Sequence, residues 1–429
     1  MSATEAPTVP VLRSDDEAVA AAAVLADELR PGAIDRDRAG GVPREALAAL
    51  DRSGLIGITV PREHGGAEVS HVALAEVVRL IAAADPAIAQ GPQGHFLFVD
   101  VLRQLGTREQ QARVFADVLA GRRLGNALAE RGTPHAMALG TTLSPAGGAS
   151  GAGAAADGDD HPTVAAGGAS AVDGPLVLNG TKYYCTGAAT SHRIAVSAVD
   201  AEGDVVVAFV LRDGAGVTVE EDWNAMGQRA TASGTTTLRD APIEDGLLLP
   251  YGAAYTGPQL LGARAQLVHA AIEVGIAGGA FADAVTFVRE RSRPYFEAAG
   301  AGYDRASDDP HVLHRTGELS ARLHAAEGLL ERAGRVLDRL PHVPATREEA
   351  AEGSLAVAEA KAFGSEAAVA IASELFALTG ASATDDKHDL HRHWRNARTH
   401  SVHDPIRWKY HHVGAGVLND APPPNHGQI

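Results

Sequence analysis

An α+β fold, helical at both ends with a β domain between, is what this sequence predicts, and three observations predict it. Hydrophobic periodicity is helical up to about residue 120. It shortens to strand-like runs between about Gly121 and Leu248 and returns to long helical patterns from Gly257 onward. Apolar residues make up 45% of the chain but aromatics only 4%, so the core is built of Ala, Val and Leu, which suits close-packed helices. The length, 429 residues, exceeds the size at which one compact core usually stops growing. On this reading the chain divides into a helical domain over 1–120, a β domain over 121–248 and a helical bundle over 249–429.

Each element follows from local signals. Asp15 to Arg30 is Ala/Leu-rich and stops at Pro31-Gly32. Pro43 opens a second helix with Leu47, Leu50 and Leu55 on one side. Val72, Leu74, Val77, Val78 and Ile81 form a third apolar face, broken at Asp85-Pro86, and Gly94–Leu105 and Glu109–Leu119 continue the pattern. Leu124 to Glu130 is strand-like. Asn179-Gly180, between Leu176 and Tyr184, predicts a hairpin, because this pair accepts the positive φ angles of a tight turn. A second hairpin joins Ile194–Val199 to Val205–Leu211 through Glu202-Gly203-Asp204, and Val217–Glu220 and Thr235–Leu238 add strands. The segment 144–170 is nearly all Gly, Ala, Ser, Asp and Pro, so it is expected to be a mobile surface loop. Helices over Leu260–Arg293, Ser307–Leu340, Arg347–Leu378 and from about Lys387 complete the chain.

Composition limits the partners. Asp plus Glu number 54 against 37 Lys plus Arg, a formal charge of −17 that opposes nucleic acid and anionic membrane surfaces. Cys185 is the sole cysteine, so neither an intrachain disulfide nor a Cys-based zinc site can form, which points to a reducing compartment. The polar, acidic start lacks the basic-then-apolar pattern of a secretory signal, and no run of about 20 uncharged apolar residues marks a bilayer span. A cytoplasmic location is expected.

For chemistry, the densest feature is histidine. Seven of the nineteen histidines lie between His388 and His412. Spacings such as His400/His403 place imidazoles on one face, but no H-E-x-x-H pattern accompanies them, and no metal ligand is assigned; solvated helix ends account for His388, His411 and His412. Neither a P-loop, a G-x-G-x-x-G turn nor a G-x-S-x-G elbow is present, which disfavours nucleotide-triphosphate, Rossmann and Ser-hydrolase chemistry. Polar motifs are instead spread over all three regions.

Those motifs carry a resemblance. The helical–β–helical order, NGTKYYCTGA, MGQRATASGTTTLRDAPI and RERSRPY resemble the acyl-CoA dehydrogenase fold. More closely, ITVPREHGGAEVSHVALAEVVRLIAAADPAIAQ, GNALAE, DWNAMGQRATASGT and DLHRHWRNARTHSVHDPIRWKYHHVG resemble its flavin-dependent monooxygenase branch, which includes dibenzothiophene monooxygenase and the sulfur-acquisition oxidoreductases. The resemblance runs from about residue 15 to 419, apart from 144–170. It implies an N-terminal helical domain, a β-barrel-like domain and a C-terminal four-helix bundle, with flavin between the last two, completed by a neighbouring subunit of a homotetramer.

By the same resemblance, Asn126 lies next to the isoalloxazine, Tyr184, Cys185 and Thr186 lie beside its N5 edge, Trp223 walls the site, and Arg395 contacts the cofactor. Arg291 matches an arginine that reaches flavin phosphate from an adjacent subunit, a role suited to a bidentate guanidinium. His95 and His403 match two histidines that face the flavin. The expected catalytic residues are therefore His95, His403 and Cys185, with Cys185 standing where serine is usual. The implied enzyme uses reduced FMN from a separate flavin reductase and dioxygen, through a C4a-hydroperoxyflavin, on a small organosulfur substrate. Ala129-Glu-Arg-Gly-Thr-Pro-His135 replaces the family's Thr-Glu-Pro-x-Ala-Gly-Ser-Asp stretch, which weakens an acyl-CoA substrate. Two alternatives stay open: a dehydrogenase with FAD and Asp404 as base, and a non-catalytic metal- or flavin-binding protein.

Overall fold

A computed structural model of the chain describes residues 9–135, 138–147, 175–342 and 345–429. Seven helices come first: α1 (Asp15–Leu29), α2 (Ala33–Ala39), α3 (Arg44–Arg52), α4 (His71–Ala84), α5 (Pro86–Gln90), α6 (Gln93–Leu105) and α7 (Arg108–Leu119). Four of them start on side-chain caps. Ser14 accepts from the Glu17 N–H, Ser70 from Ala73, and Asp85 ends α4 and starts α5 by accepting from Ala87 and Ile88. Thr107 and Gln110 form a reciprocal capping box on α7.

The sheet follows: β1 (Leu124–Ala127), β2 (Thr142–Pro145), β3 (Leu176–Lys182), β4 (Arg193–Val199), β5 (Val205–Leu211), β6 (Val217–Val219), β7 (Thr236–Pro242) and β8 (Leu248–Leu249). They form one mixed eight-stranded sheet in the order β6-β7-β3-β2-β4-β5-β8, with β1 parallel to β4. Leu178, Ile194, Val196, Ala208 and Val210 pack into its core. Two expectations change here. Asn179-Gly180 makes no hairpin: β3 runs straight through it with a bulge between Leu178 and Gly180 against β7. The Asn179 side chain meets the bulge by accepting from the Asp240 N–H at 2.8 Å and donating to its carboxylate at 3.0 Å, so the pair's turn chemistry serves a bulge instead. Ser144 and Pro145 belong to strand β2, not to a loop, while 148–170 of the expected mobile loop lies outside the described residues.

Helices then resume with α8 (Leu261–Glu290), α9 (Phe296–Gly300), α10 (Pro310–Arg339), α11 (Arg347–Thr379), α12 (His391–His400) and α13 (Ile406–Asn419). The expected single last helix is two, because Pro405 cannot continue a helix and starts α13 anew. α8 and α11 are long and apolar enough to cross a bilayer by length and composition, yet most of each apolar window is buried against other helices. The bundle also takes in the N-terminal helices: Leu74, Val78 and Ile81 of α4 share one core with Leu267, Ile272, Leu330 and Ile371. α8 approaches α4 through Gly275, where an added Cβ would lie 2.5 Å from the Ala82 Cβ and 2.6 Å from the Arg79 carbonyl oxygen.

That contact sets a test. Helix propensity alone favours Gly→Ala by about 1 kcal/mol, but overpacking costs about 1–3 kcal/mol. Gly275→Ala is expected to lower stability in urea denaturation. Gly328→Ala, on exposed α10 with open space around it, is expected to raise it.

Candidate active site between the sheet and the C-terminal helices

The site's floor is built on β1 and the chain after β3. Asn126 is buried on β1, and its backbone N–H donates to the Thr186 carbonyl at 3.4 Å. Thr186 starts a buried hydroxyl chain, 2.6 Å to Ser233 and on to Thr231 at 2.8 Å. Tyr184 adopts a left-handed backbone, φ 57°, that turns its ring outward; the ring is edge-on to Trp223 at 6.0 Å, with the Arg131 guanidinium 4.9 Å from its centroid. Cys185 points the other way. It is fully buried in the sheet core, and burial pushes its thiol up to about 11. A protonated, inaccessible thiol is no nucleophile or acid, so Cys185 is a packing residue and leaves the expected catalytic set.

A loop from Trp223 to Ala230 forms one wall and docks on α12. Trp223 Nε1 donates to the Gln228 carbonyl at 2.8 Å, and the Gln228 N–H donates to Asn396 Oδ1 at 2.6 Å. Gly227 lies so close to α12 that a Cβ would collide with the Arg395 carbonyl. Gln228 is 2% exposed, yet among the described residues neither its side-chain oxygen nor its nitrogen has a partner. Arg395 is spoken for: it donates to His391 at 2.8 Å, the Met226 carbonyl at 2.9 Å, Asp389 at 3.0 Å and both carboxylate oxygens of Asp37. The expected cofactor contact is therefore a clamp that joins α2, the loop and α12, with no donor left over.

The helix side carries the imidazoles. His403 sits in the turn after α12, with its side chain 42% exposed. Its Nδ1 lies 3.3 Å from Asp404 Oδ1, which turns Nε2 to the ring's opposite edge. Desolvation lowers the His403 pKa despite its carboxylate neighbour, with Lys361 adding to the shift, so the ring is neutral at neutral pH. Asp404 is not free. It pairs with Lys361 and, at 2.9 Å, with Lys409; against the opposing effect of burial, these cations hold its carboxyl far below the carboxylate range. Behind His403, the His269 ring of α8 lies at 4.1 Å and 33°, and His269, His400 and Glu273 form a buried chain.

The two sides meet on α12: Asn396 holds the loop, and His400 is four residues, about 6 Å, further along the axis. One recess, lined by Asp37, Arg229, His393 and Asn396, adjoins this junction, a second lies among α4, α6 and α8, and neither includes His403 or Tyr184. His95 is not brought to it. It is fully buried, with Nε2 2.7 Å from the Ile56 carbonyl and Nδ1 accepting from the Leu124 N–H at 3.2 Å, so both nitrogens pin β1 to the helices. Arg291 is also distant: it follows α8, 22 residues past His269, about 33 Å along the axis, exposed and 3.2 Å from His388. The remaining tail histidines disperse, His391 to Asp386, His393 to Asp283 and His411 and His412 to Trp408. Among the described residues no three ligating groups converge to hold a metal. Sequence reading missed His269, Glu273 and Lys361. For the two on α8 a signal was present: Gln266, His269 and Glu273 make a polar stripe at i, i+3 and i+7 of an otherwise apolar helix.

A helical–sheet–helical chain with this junction belongs to the acyl-CoA dehydrogenase family, whose N-terminal, middle and C-terminal domains match residues 17–122, 155–241 and 267–408. Within the family it falls in the flavin-dependent monooxygenase branch. It is 31% identical to dibenzothiophene monooxygenase of Rhodococcus qingshengii over 95% of this chain and 94% of that protein. It is 32% identical to the protein named Probable FMNH2-dependent monooxygenase SfnC of Pseudomonas putida, over 96% and 98%. The crystal structure of FMN-bound TdsC from Paenibacillus sp. A11-2 superposes with a TM-score of 0.85 at 30% identity, over 96% of this chain and all of that one.

The buried His95 predicts a pH signature. Burial holds the folded ring neutral, with its pKa pushed down to about 4, whereas the unfolded ring protonates near 6.5. The unfolded chain therefore takes the proton first, and stability falls as pH drops from about 6.5 to about 4, by about 3 kcal/mol for this residue. His342, also pushed down to about 4, adds to the same window. In urea titrations, His95→Asn should be less stable at pH 7 and lose less stability on acidification.

Proposed function

We propose that this protein is a two-component flavin monooxygenase: it takes reduced FMN from a separate reductase and uses dioxygen to oxygenate a small organosulfur compound. One observation carries the choice within the family. A dehydrogenase needs a carboxylate free to remove a proton beside a thioester, and Asp404, the candidate, is buried and doubly paired with lysines. What faces outward is the neutral imidazole of His403. The FAD-dependent dehydrogenase reading with Asp404 as base is accordingly set aside.

The residues present fit a flavin. The Gln228 amide, without a partner among the described residues, the hydroxyl chain from Thr186, the buried Asn126 and the outward Tyr184–Trp223 pair offer hydrogen bonds and a flat apolar wall on the same side of the molecule. When bound, reduced FMN supplies the electrons that activate dioxygen. His403, with Nδ1–H held by the Asp404 carboxylate, presents an Nε2 lone pair that accepts a hydrogen bond or proton from the reacting groups. Arg291, about 33 Å along α8 from His269, serves a site on another subunit, and the working protein is a homotetramer. The substrate class rests on the relatives' names.

Two measurements check this. His403→Ala is expected to consume reduced FMN and dioxygen while yielding hydrogen peroxide in place of oxygenated product, at least 10-fold below the parent; coupled oxygenation at the parent rate sinks the assignment. Co-expressed Arg291→Ala and His403→Ala chains should recover activity that neither variant has alone. Hybrids with no more activity than the separate variants would mean that Arg291 does not act across subunits.

A further inference from the structure

The polar stripe of α8 forms a chain whose hydrogen bonds run in one direction. Ser365 Oγ donates to Glu273 Oε2, and Glu273 Oε1 lies 3.0 Å from His400 Nδ1. His400 Nε2 is 3.1 Å from His269 Nδ1, and the His269 ring lies against His403. Glu273 and Ser365 are fully buried, His269 is 2% exposed and His400 3%, so water does not compete for these bonds. A carboxylate only accepts, and a neutral imidazole donates with one nitrogen and accepts with the other. Glu273 therefore fixes the proton of His400 on Nδ1. That leaves His400 Nε2 as an acceptor, which fixes the proton of His269 on Nδ1 in turn. Burial, with His403, Lys361 and His400 close by, depresses the His269 pKa strongly and keeps its ring neutral.

Resting on the reading of His403 above, we propose that Glu273 is a positioning residue for this site: through His400 it locks His269 in the Nδ1–H form, so that beneath His403 stands an imidazole whose Nε2 offers a lone pair and no proton. The rings against His403 are those of His269 from α8 and His400 from α12, and Asp404, beside its Nδ1, is paired with Lys361 of α11 and Lys409 of α13. No N–H of the two inner imidazoles points toward the open edge of His403, which leaves the His403 lone pair as the one directed at substrate. Replacing Glu273 with leucine removes the acceptor and leaves a buried His400 Nδ1–H without a partner. The proton is then better placed on His400 Nε2, where it donates to His269 Nδ1 and puts an N–H at His269 Nε2.

The test is 15N NMR of full-length protein labelled at histidine, which reads each ring's tautomer directly. The parent protein should show His269, His400 and His403 all as neutral Nδ1–H forms. Glu273→Leu should convert His269 and His400 to Nε2–H and lower the ratio of oxygenated product to hydrogen peroxide about 10- to 100-fold. Ser365→Ala, which loosens the same buried carboxylate without removing it, should keep the parent tautomers. An Nε2–H form or an imidazolium at His400 or His269 in the parent protein overturns the proposal, as does a folded Glu273→Leu protein with unchanged tautomers. Coupled oxygenation by His403→Ala would instead remove the site reading, while the tautomers would still decide what Glu273 does.

Discussion

The arrangement of this molecule depends on Arg395. All its N–H directions are used, toward Asp37 of α2, Asp389 and His391 at the start of α12, and the Met226 carbonyl of the loop that leaves the sheet. Three pieces of chain that are remote in sequence are held at one point, and the site lies between them. Such a partly buried charged knot gains little net stability, because desolvation offsets attraction, but removing one member of a buried pair costs about 3–5 kcal/mol. Its value lies in geometry. With the loop fixed on α12, Trp223 and the Gln228 amide have defined positions relative to the imidazoles that follow on the same helix.

Much of this was legible in the sequence, and the exceptions share a cause. Helix periodicity, the Asp85-Pro86 break and the strand runs are local signals, and they place the elements. Asn179-Gly180 was a local signal with two solutions, and pairing of β3 with β7 across a bulge won over a turn. His95 and Cys185 matched a family pattern by position, but position along a strand or helix does not say which side of the backbone faces the site. Both side chains point into the core. Arg395 was placed in the correct region and given the wrong partner, since Asp37 is more than three hundred residues away in sequence. Conversely, the stripe of Gln266, His269 and Glu273 was readable as polar residues on one face of an apolar helix, and only the tertiary arrangement of α11 and α12 shows what it meets.

Two buried lysine–carboxylate systems use charge differently. Lys182 and Glu130 knit a loop to the sheet: Glu130 accepts from the backbone of Gly140 and Thr141, while Lys182 also reaches Ser197. Around Asp404, two lysines share one carboxylate, and burial together with Lys361 pushes Lys409 down to about 8. An excess of positive charge beside His403 opposes its protonation while Asp404 favours Nδ1–H, so tautomer and charge state are set by different neighbours.

Two described sulfur atoms, of Cys185 and Met226, meet different fates. Sealed in the sheet and kept as a thiol, it presents no thiolate to peroxide, so the oxidation ladder that begins with sulfenic acid has no entry point there. Met226 is 48% exposed on the loop that Arg395 clamps, and thioethers need no deprotonation to be oxidised. Between these two described sulfur atoms, peroxide released in turnover would meet Met226, a residue that methionine sulfoxide reductases can restore, and the irreversible chemistry of the cysteine is avoided.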